Sequence, residues 1–416
     1  MSTGAGTDSG VRGPEPAGDA ADPVEAAPPA AGWRELAAGA FRFCLLAFVG
    51  LRLAMLLIGV VSVALFPSLA PVGVSGWRAG PVDLGWQHAF AAWERFDALW
   101  FLRIADGGYR FEDGSAAFFP LYPLAIRGVS FVLGGAPLAA ATLVSNAAFL
   151  AALFVTYVLT TAELSERTAR TTVVLLCVFP ASHFFLMPYS ESLLLLLAVT
   201  AFWAARRGRW AGAGGAGALA ALTRSLGVAL APALVVEALH QRAERGARVW
   251  PGMAAAAATG LGLVAYLAYW AVRAGDWFAP ITRQANWERT LSFPLVTLWN
   301  GTVDAFRYLD DPNGGYWLLD WVIVVPMLAA SVYAVVRLRP SYGVYLWAGL
   351  LLPLTFAFEG RPLMSMPRFL LPLFPAFWGL ALGLERLRVP RAVAYVAGAV
   401  GLGILCLLTV NWYYIF

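Results

Sequence analysis

The chain has 416 residues, 60% of them hydrophobic and 13% charged, with a formal charge of +4. A mean hydropathy of +0.68 excludes an ordinary soluble domain and indicates an all-α polytopic membrane protein. Every basic residue is arginine, and the arginines cluster between apolar runs, so they read as topology signals rather than as a nucleic-acid surface.

Residues 1–31 are rich in Gly, Ala, Pro and acidic residues without periodicity, and a disordered cytoplasmic tail is expected there. They lack a charged start followed by a short apolar core, so no signal peptide is expected. Residues 32–416 are expected to form one transmembrane domain of about 10–12 membrane helices. The first span falls near 40–66 and carries Arg42 and Arg52, of which Arg52 lies deeper and needs a partner.

Residues 67–117 form a large first external loop expected to carry interfacial helices. It opens the most distinctive stretch of the chain, Trp93–Pro123, WERFDALWFLRIADGGYRFEDGSAAFFPLYP. On a helix over 93–106, the residues Trp93, Phe96, Trp100, Phe101 and Ile104 share a face, and Asp97 falls in the middle of it. A carboxylate there costs free energy unless it is paired or used. The pattern alone leaves open a structural role, with Asp97 reaching water or capping a neighbour.

Arginine-rich clusters at 166–170, 206–209, 242–248, 337–339 and 385–391 should lie in the cytoplasm. The turn at 180–191, the second external loop at 275–316 and the segment 359–367 then lie outside. Spans near 251–273, 317–337, 343–358, 368–386 and 392–412 alternate accordingly. Two segments do not fit full spans. Residues 118–134 are expected to be short or re-entrant. Residues 211–238 join two basic clusters and are expected to be a pair of half-helices, because two full spans need ~20 residues each. Irregular backbone at membrane depth is tolerated where it lines a cavity, so both point to one cavity on the outer side.

The ionisable residues near these breaks are Glu191, Arg224 and Arg368. They form internal ion pairs, for example Glu191 with Arg224, or Arg224 and Arg368 bind a phosphate. The second external loop adds Asp276, Trp277, Gln284, Asn286, Trp287 and Trp299, suited to stacking a sugar or to an interfacial belt. Cys44, Cys177 and Cys406 lie in apolar runs and read as buried hydrophobes. His88, His183 and His240 lack ligand spacing, so no metal site and no cofactor is expected.

Several motifs in order carry a family resemblance. They are Phe96-Asp97-Ala98 followed by Gly108-Tyr109, then Glu112 and Ala117-Phe118-Phe119-Pro120-Leu121-Tyr122-Pro123. Pro180-Ala181 with Tyr189-Ser190-Glu191-Ser192 comes next, then Thr223-Arg224-Ser225-Leu226-Gly227, and last Arg368-Phe369 with Phe374-Pro375. Together they resemble the PIG-V-like mannosyltransferases, integral-membrane glycosyltransferases of the GT-C class. Phe96 replaces the Trp usual before the family Asp, and Leu226 stands where Asn is often found.

The resemblance implies a membrane mannosyltransferase that takes mannose from polyprenyl-phosphate mannose, with inversion and without metal. Asp97 would be the general base. Arg368, Arg224, Glu191, Tyr189, Glu112 and Tyr109 would bind substrate, and Arg368 or Arg224 would stabilise the leaving phosphate. The acceptor would be a cell-envelope glycolipid, glycan or protein, and the active site would lie on the extracytoplasmic side of the plasma membrane. A transferase for another prenyl-phosphate sugar fits the same motifs. A lipid-linked sugar transporter or flippase would also need intramembrane charge and broken helices, although the chain shows no internal repeat.

Overall fold

The structure, a computed structural model, describes residues 1, 30–80, 88–283, 286, 288–311 and 314–414, with side chains except those of 30–34, 88 and 89. The expected N-terminal tail lies outside the described residues. In chain order the main helices are α1 (Ala30–Leu65), α2 (Asp97–Gly107), α3 (Leu121–Val132) and α4 (Pro137–Glu163). Next come α5 (Glu166–Val178), α6 (Glu191–Arg206), α7 (Trp210–Thr223), α8 (Leu230–Arg245) and α9 (Trp250–Ala274). The last are α10 (Pro294–Arg307), α11 (Gly315–Arg337), α12 (Pro340–Thr355), α13 (Phe374–Arg386) and α14 (Arg391–Val410). Strands β1 (Arg289–Leu291) and β2 (Phe356–Phe358) pair antiparallel, Arg289 opposite Phe358.

Among the described residues, five helices, α1, α4, α9, α11 and α14, are long and apolar enough to cross a membrane. Six shorter helices follow one another as three consecutive up-and-down hairpins, α5/α6, α7/α8 and α12/α13, whose arms pack mainly on other helices. Their arms have 13 to 16 residues. At ~1.5 Å per residue such arms reach about 20–24 Å, short of a hydrocarbon core of ~30 Å. The hairpins therefore turn at membrane depth, and their tips are irregular there.

Each tip has a local cause. Pro180 and Pro188 bracket the first, and a proline cannot continue a helix without losing a backbone hydrogen bond. The tip is stitched to α4, where Asn146 donates to the carbonyl of Leu186 and Ser145 to that of Tyr189. The second turns at Arg224, whose backbone is extended (φ −158°, ψ 156°). It closes through Gly227, where a Cβ would collide with backbone atoms of Ala220 and Ala221. Gly227→Ala should therefore push this tip outward and cost about 1–3 kcal/mol. Thermal unfolding of the purified protein in detergent checks it; an unchanged midpoint would show that the turn has slack. The third tip runs through β2 and the short helical turn Met366–Phe369 before α13. It is clasped to α11 by a buried ion pair, Arg361 Nε to Asp320 Oδ2 at 2.6 Å.

The opposite ends of the same arms meet in a second ionic layer. Arg206 bridges Glu163 and Glu237, and Arg339 bridges Glu237 and Glu244. Glu237 is fully buried, and Ser341 and Gln241 also donate to it. The bundle thus has two charged poles, with an apolar core between them.

Both expected irregular segments are found. α3 is a 12-residue helix ending in the Gly134–Gly135 turn, and 211–238 is the α7/α8 pair of half-helices. Two expectations are corrected. The span near 368–386 is broken, because the 366–369 turn and α13 are separate. The helix expected over 93–106 is interrupted at 92–96, and α2 starts at Asp97.

Candidate active site

The break before α2 determines where Asp97 points. Phe96 has φ 53° and ψ −117°, a conformation rarely adopted by a residue with a side chain. Its ring packs edge-on against Trp412 and Tyr414, which hold it there. Asp97 becomes the first residue of α2, where the helix dipole favours a carboxylate. Its backbone N–H donates to the Tyr189 hydroxyl, which donates to the carbonyl of Arg95. Trp93, Phe101 and Ile104 go into the core. The carboxylate is therefore at a helix end and not in the middle of an aromatic face, as a continuous helix would have it.

The hairpin tips bring the remaining groups to it. Arg368 places Nη1 2.7 Å from Asp97 Oδ2 and Nε 2.6 Å from Glu191 Oε1. Arg224 donates from Nη1 to the same Glu191 Oε1 at 2.7 Å and to Ser190 at 3.3 Å. The Glu191 side chain is 1% exposed, and its second oxygen, Oε2, is buried without a hydrogen-bond partner. Asp97 differs, because 21% of its side chain is exposed. It opens onto a cavity of about 330 Å³.

That cavity has a polar end and an apolar wall. Asp97, Ser190, Arg224, Arg289, Ser365 and Arg368 line the polar end. Leu263 and Leu267 of α9, Leu352 and Pro353 of α12, and Leu226 and Val228 line the apolar part. α9 and α12 make at most glancing contact with each other. Ile281 and Leu352, both on the lining, are exposed, so the cavity is open near them.

Arg289 was not singled out in the sequence. β1–β2 pairing carries it from the second external loop to the third tip. There its guanidinium donates to the carbonyl of Phe356 and to Ser365, each at 3.1 Å. Burial, with a contribution from nearby Arg368, pushes Arg289 down to about 10, which still leaves it fully charged at neutral pH. Backbone strain marks the same place. Among the described residues, non-glycine residues with positive φ include Phe96, Glu288, Ser365 and Trp412, each near Asp97, Arg289, Arg368 or the cavity-lining Tyr414. Strain of this kind persists where surrounding structure enforces it, commonly at functional sites.

The other expected binding residues are not on the cavity lining. Tyr109 donates to the carbonyl of Phe118 and packs among Tyr266, Tyr269 and Trp270. Glu112 is exposed, because the neighbouring Asp113 turns inward to bind buried Arg103 at 2.6 Å and to cap the turn at 114–117. Tyr189 and Glu191 stand behind the lining and hold Asp97, Arg224 and Arg368. Trp277 and Trp299 are exposed and away from the cavity; Gln284 and Trp287 lie outside the described residues.

Comparison with known proteins follows from this geometry. The family model described as Mannosyltransferase (PIG-V) matches residues 43–245. No curated protein sequence matches significantly. Among solved structures, ArnT from Cupriavidus metallidurans bound to undecaprenyl phosphate is 15% identical, with a TM-score of 0.47, covering 93% of this chain and 77% of ArnT. The Archaeoglobus fulgidus oligosaccharyltransferase in complex with Zn and sulfate is 13% identical, with a TM-score of 0.41, covering 87% of this chain and 53% of that one. The family match takes in Asp97, Glu191 and Arg224, whereas Arg289 and Arg368 lie beyond it. Over residues 43–245 the chain is thus similar to the PIG-V mannosyltransferases.

Proposed function

We propose that the protein transfers mannose from polyprenyl-phosphate mannose to a hydroxyl of a cell-envelope glycolipid, glycan or protein. The observation that carries this reading is the cavity itself. A carboxylate, Asp97, faces a space with a cationic end and an apolar flank. A donor with a charged head and a long prenyl chain matches that division. The chain would leave between α9 and α12, and the sugar and phosphate would stay at the polar end.

Asp97 acts as general base. The acceptor oxygen bonds to the anomeric carbon on the face opposite the phosphate, and the bond from that carbon to the phosphate oxygen breaks. The acceptor proton passes to Asp97, the electron pair of the broken bond leaves with the prenyl phosphate, and configuration inverts. Arg368 holds the Asp97 carboxylate toward the cavity, and Glu191 holds Arg368 and Arg224. The field at the reacting carbon stays positive, which favours departure of an anion. The pole formed by Arg206 and Arg339 faces the cytoplasm in this reading, by the arginine bias of cytoplasmic ends. The cavity then lies on the extracytoplasmic side of the plasma membrane.

The test is a donor panel. Membranes containing the wild-type protein receive radiolabelled polyprenyl-phosphate mannose, glucose or arabinose in separate reactions. Labelled lipid-free or lipid-linked product from the mannose donor alone is expected. Product from glucose or arabinose alone would reassign the sugar. Movement of the intact donor across sealed vesicles without any transfer would make the protein a transporter.

A further inference from the structure

Three guanidinium groups stand around one aromatic ring at the cavity. Cζ of Arg224 and of Arg289 are each 5.4 Å from the centre of the Phe369 ring, and that of Arg368 is 6.0 Å away. Like charges gathered so closely repel unless anions lie among them. Arg224 and Arg368 have theirs in Glu191 and Asp97. Arg289 forms no ion pair among the described residues, and its two hydrogen bonds go to a neutral carbonyl and a hydroxyl. Two carboxylates against three guanidiniums leave one positive charge, and it is on Arg289.

We propose that Arg289 is the residue that binds the donor phosphate, an assignment that rests on the transferase reading above. A sugar phosphodiester carries a single negative charge, the amount the cluster lacks. A guanidinium fork matches two phosphate oxygens, which a lysine ammonium does not. Arg289 is also well fixed: it begins a strand paired with β2, and its fork is set by Phe356 and Ser365 on the cavity wall. When the bond from the anomeric carbon to the phosphate oxygen breaks, that oxygen takes the electron pair and the phosphate gains a second negative charge. The acceptor proton goes to Asp97. Arg289 stabilises the phosphate as its charge grows, so it serves both donor binding and departure.

The test compares binding of farnesyl phosphate with binding of farnesol to the full-length protein in detergent. The wild type should bind the phosphate about 10–100-fold more tightly than the alcohol, the range for a charge-assisted hydrogen-bonded pair. Arg289→Gln should remove that preference and leave farnesol binding unchanged. Arg289→Lys keeps the charge and loses the fork, so it should retain only part of the preference; this second variant decides the matter if the first does not fold. Arg307→Gln removes a charge from the same loop and should have no effect. An undiminished preference in Arg289→Lys or Arg289→Gln, or no preference in the wild type, would overturn the assignment. Mannosyl transfer by the wild type, measured alongside, separates the two readings. Arg289-dependent phosphate binding without transfer would keep Arg289 and remove the mannose reaction. Transfer with Arg289-independent binding would remove Arg289 alone.

Discussion

If Asp97 is the general base proposed above, Asp97→Asn should sharply reduce mannosyl transfer in a protein that still folds. Asparagine keeps the size and one oxygen of the side chain but cannot accept the acceptor's proton. General-base catalysis contributes about 10²–10⁴-fold, and the loss in turnover should fall in that range. The fold should tolerate the change, because Arg368 keeps Glu191 as its buried partner and Asp97 is partly exposed. The measurement is transfer from radiolabelled polyprenyl-phosphate mannose in membranes at matched expression, with the unfolding midpoint in detergent as the control. Turnover within a few-fold of wild type would remove Asp97 from the chemistry. Glu191 would be a poor substitute, because its oxygens are buried behind Arg224 and Arg368.

Glu191→Leu should fail in the opposite way, through stability. One oxygen of Glu191 holds Arg368 and Arg224, and with them the tips of three hairpins. Breaking a buried ion pair by removing one partner costs about 3–5 kcal/mol, because the remaining charge stays buried without compensation. Here two arginines lose a partner at once. The variant should unfold at a clearly lower temperature in detergent and accumulate poorly in membranes, whatever its residual transfer. A midpoint equal to that of Asp97→Asn would mean that apolar packing alone holds the tips together. The two substitutions lie one arginine apart and separate the chemistry of the site from its scaffold.

Much of this site was legible before any coordinates. Asp97 was conspicuous as a carboxylate among aromatic residues. The interval between the arginine clusters at 206–209 and 242–248 was too short for two full spans, which placed Arg224 at a turn within the membrane. The Glu191–Arg224 pair was one of two readings of those charges, the other being phosphate binding by Arg224 and Arg368. The break before Asp97 was not legible, because the aromatic spacing continues through it; contacts with Trp412 and Tyr414, far along the chain, impose the Phe96 conformation. Tyr109 and Glu112 were expected at the site because their motif resembles the family's first-loop block. The Arg103–Asp113 pair, invisible to helical periodicity, turns their loop away. Arg289 had no local signal at all. Only the pairing of β1 with β2 carries it to the cavity, where it is the surplus cation beside Asp97, Glu191, Arg224 and Arg368.

The short hairpin arms have a last consequence. In the proposed reaction, arms of about 20–24 Å in a layer of ~30 Å would place the reacting carbon at the foot of a well rather than at the rim. A folded domain would be too broad to descend that far, so a protein acceptor would have to offer an extended segment. The terminal hydroxyl of a slender chain, or of a lipid already lying in the leaflet, can reach that depth. The enzyme would then choose its acceptors first by reach, rejecting internal positions of a branched glycan before any side chain has tested their stereochemistry. Its products would grow at their ends.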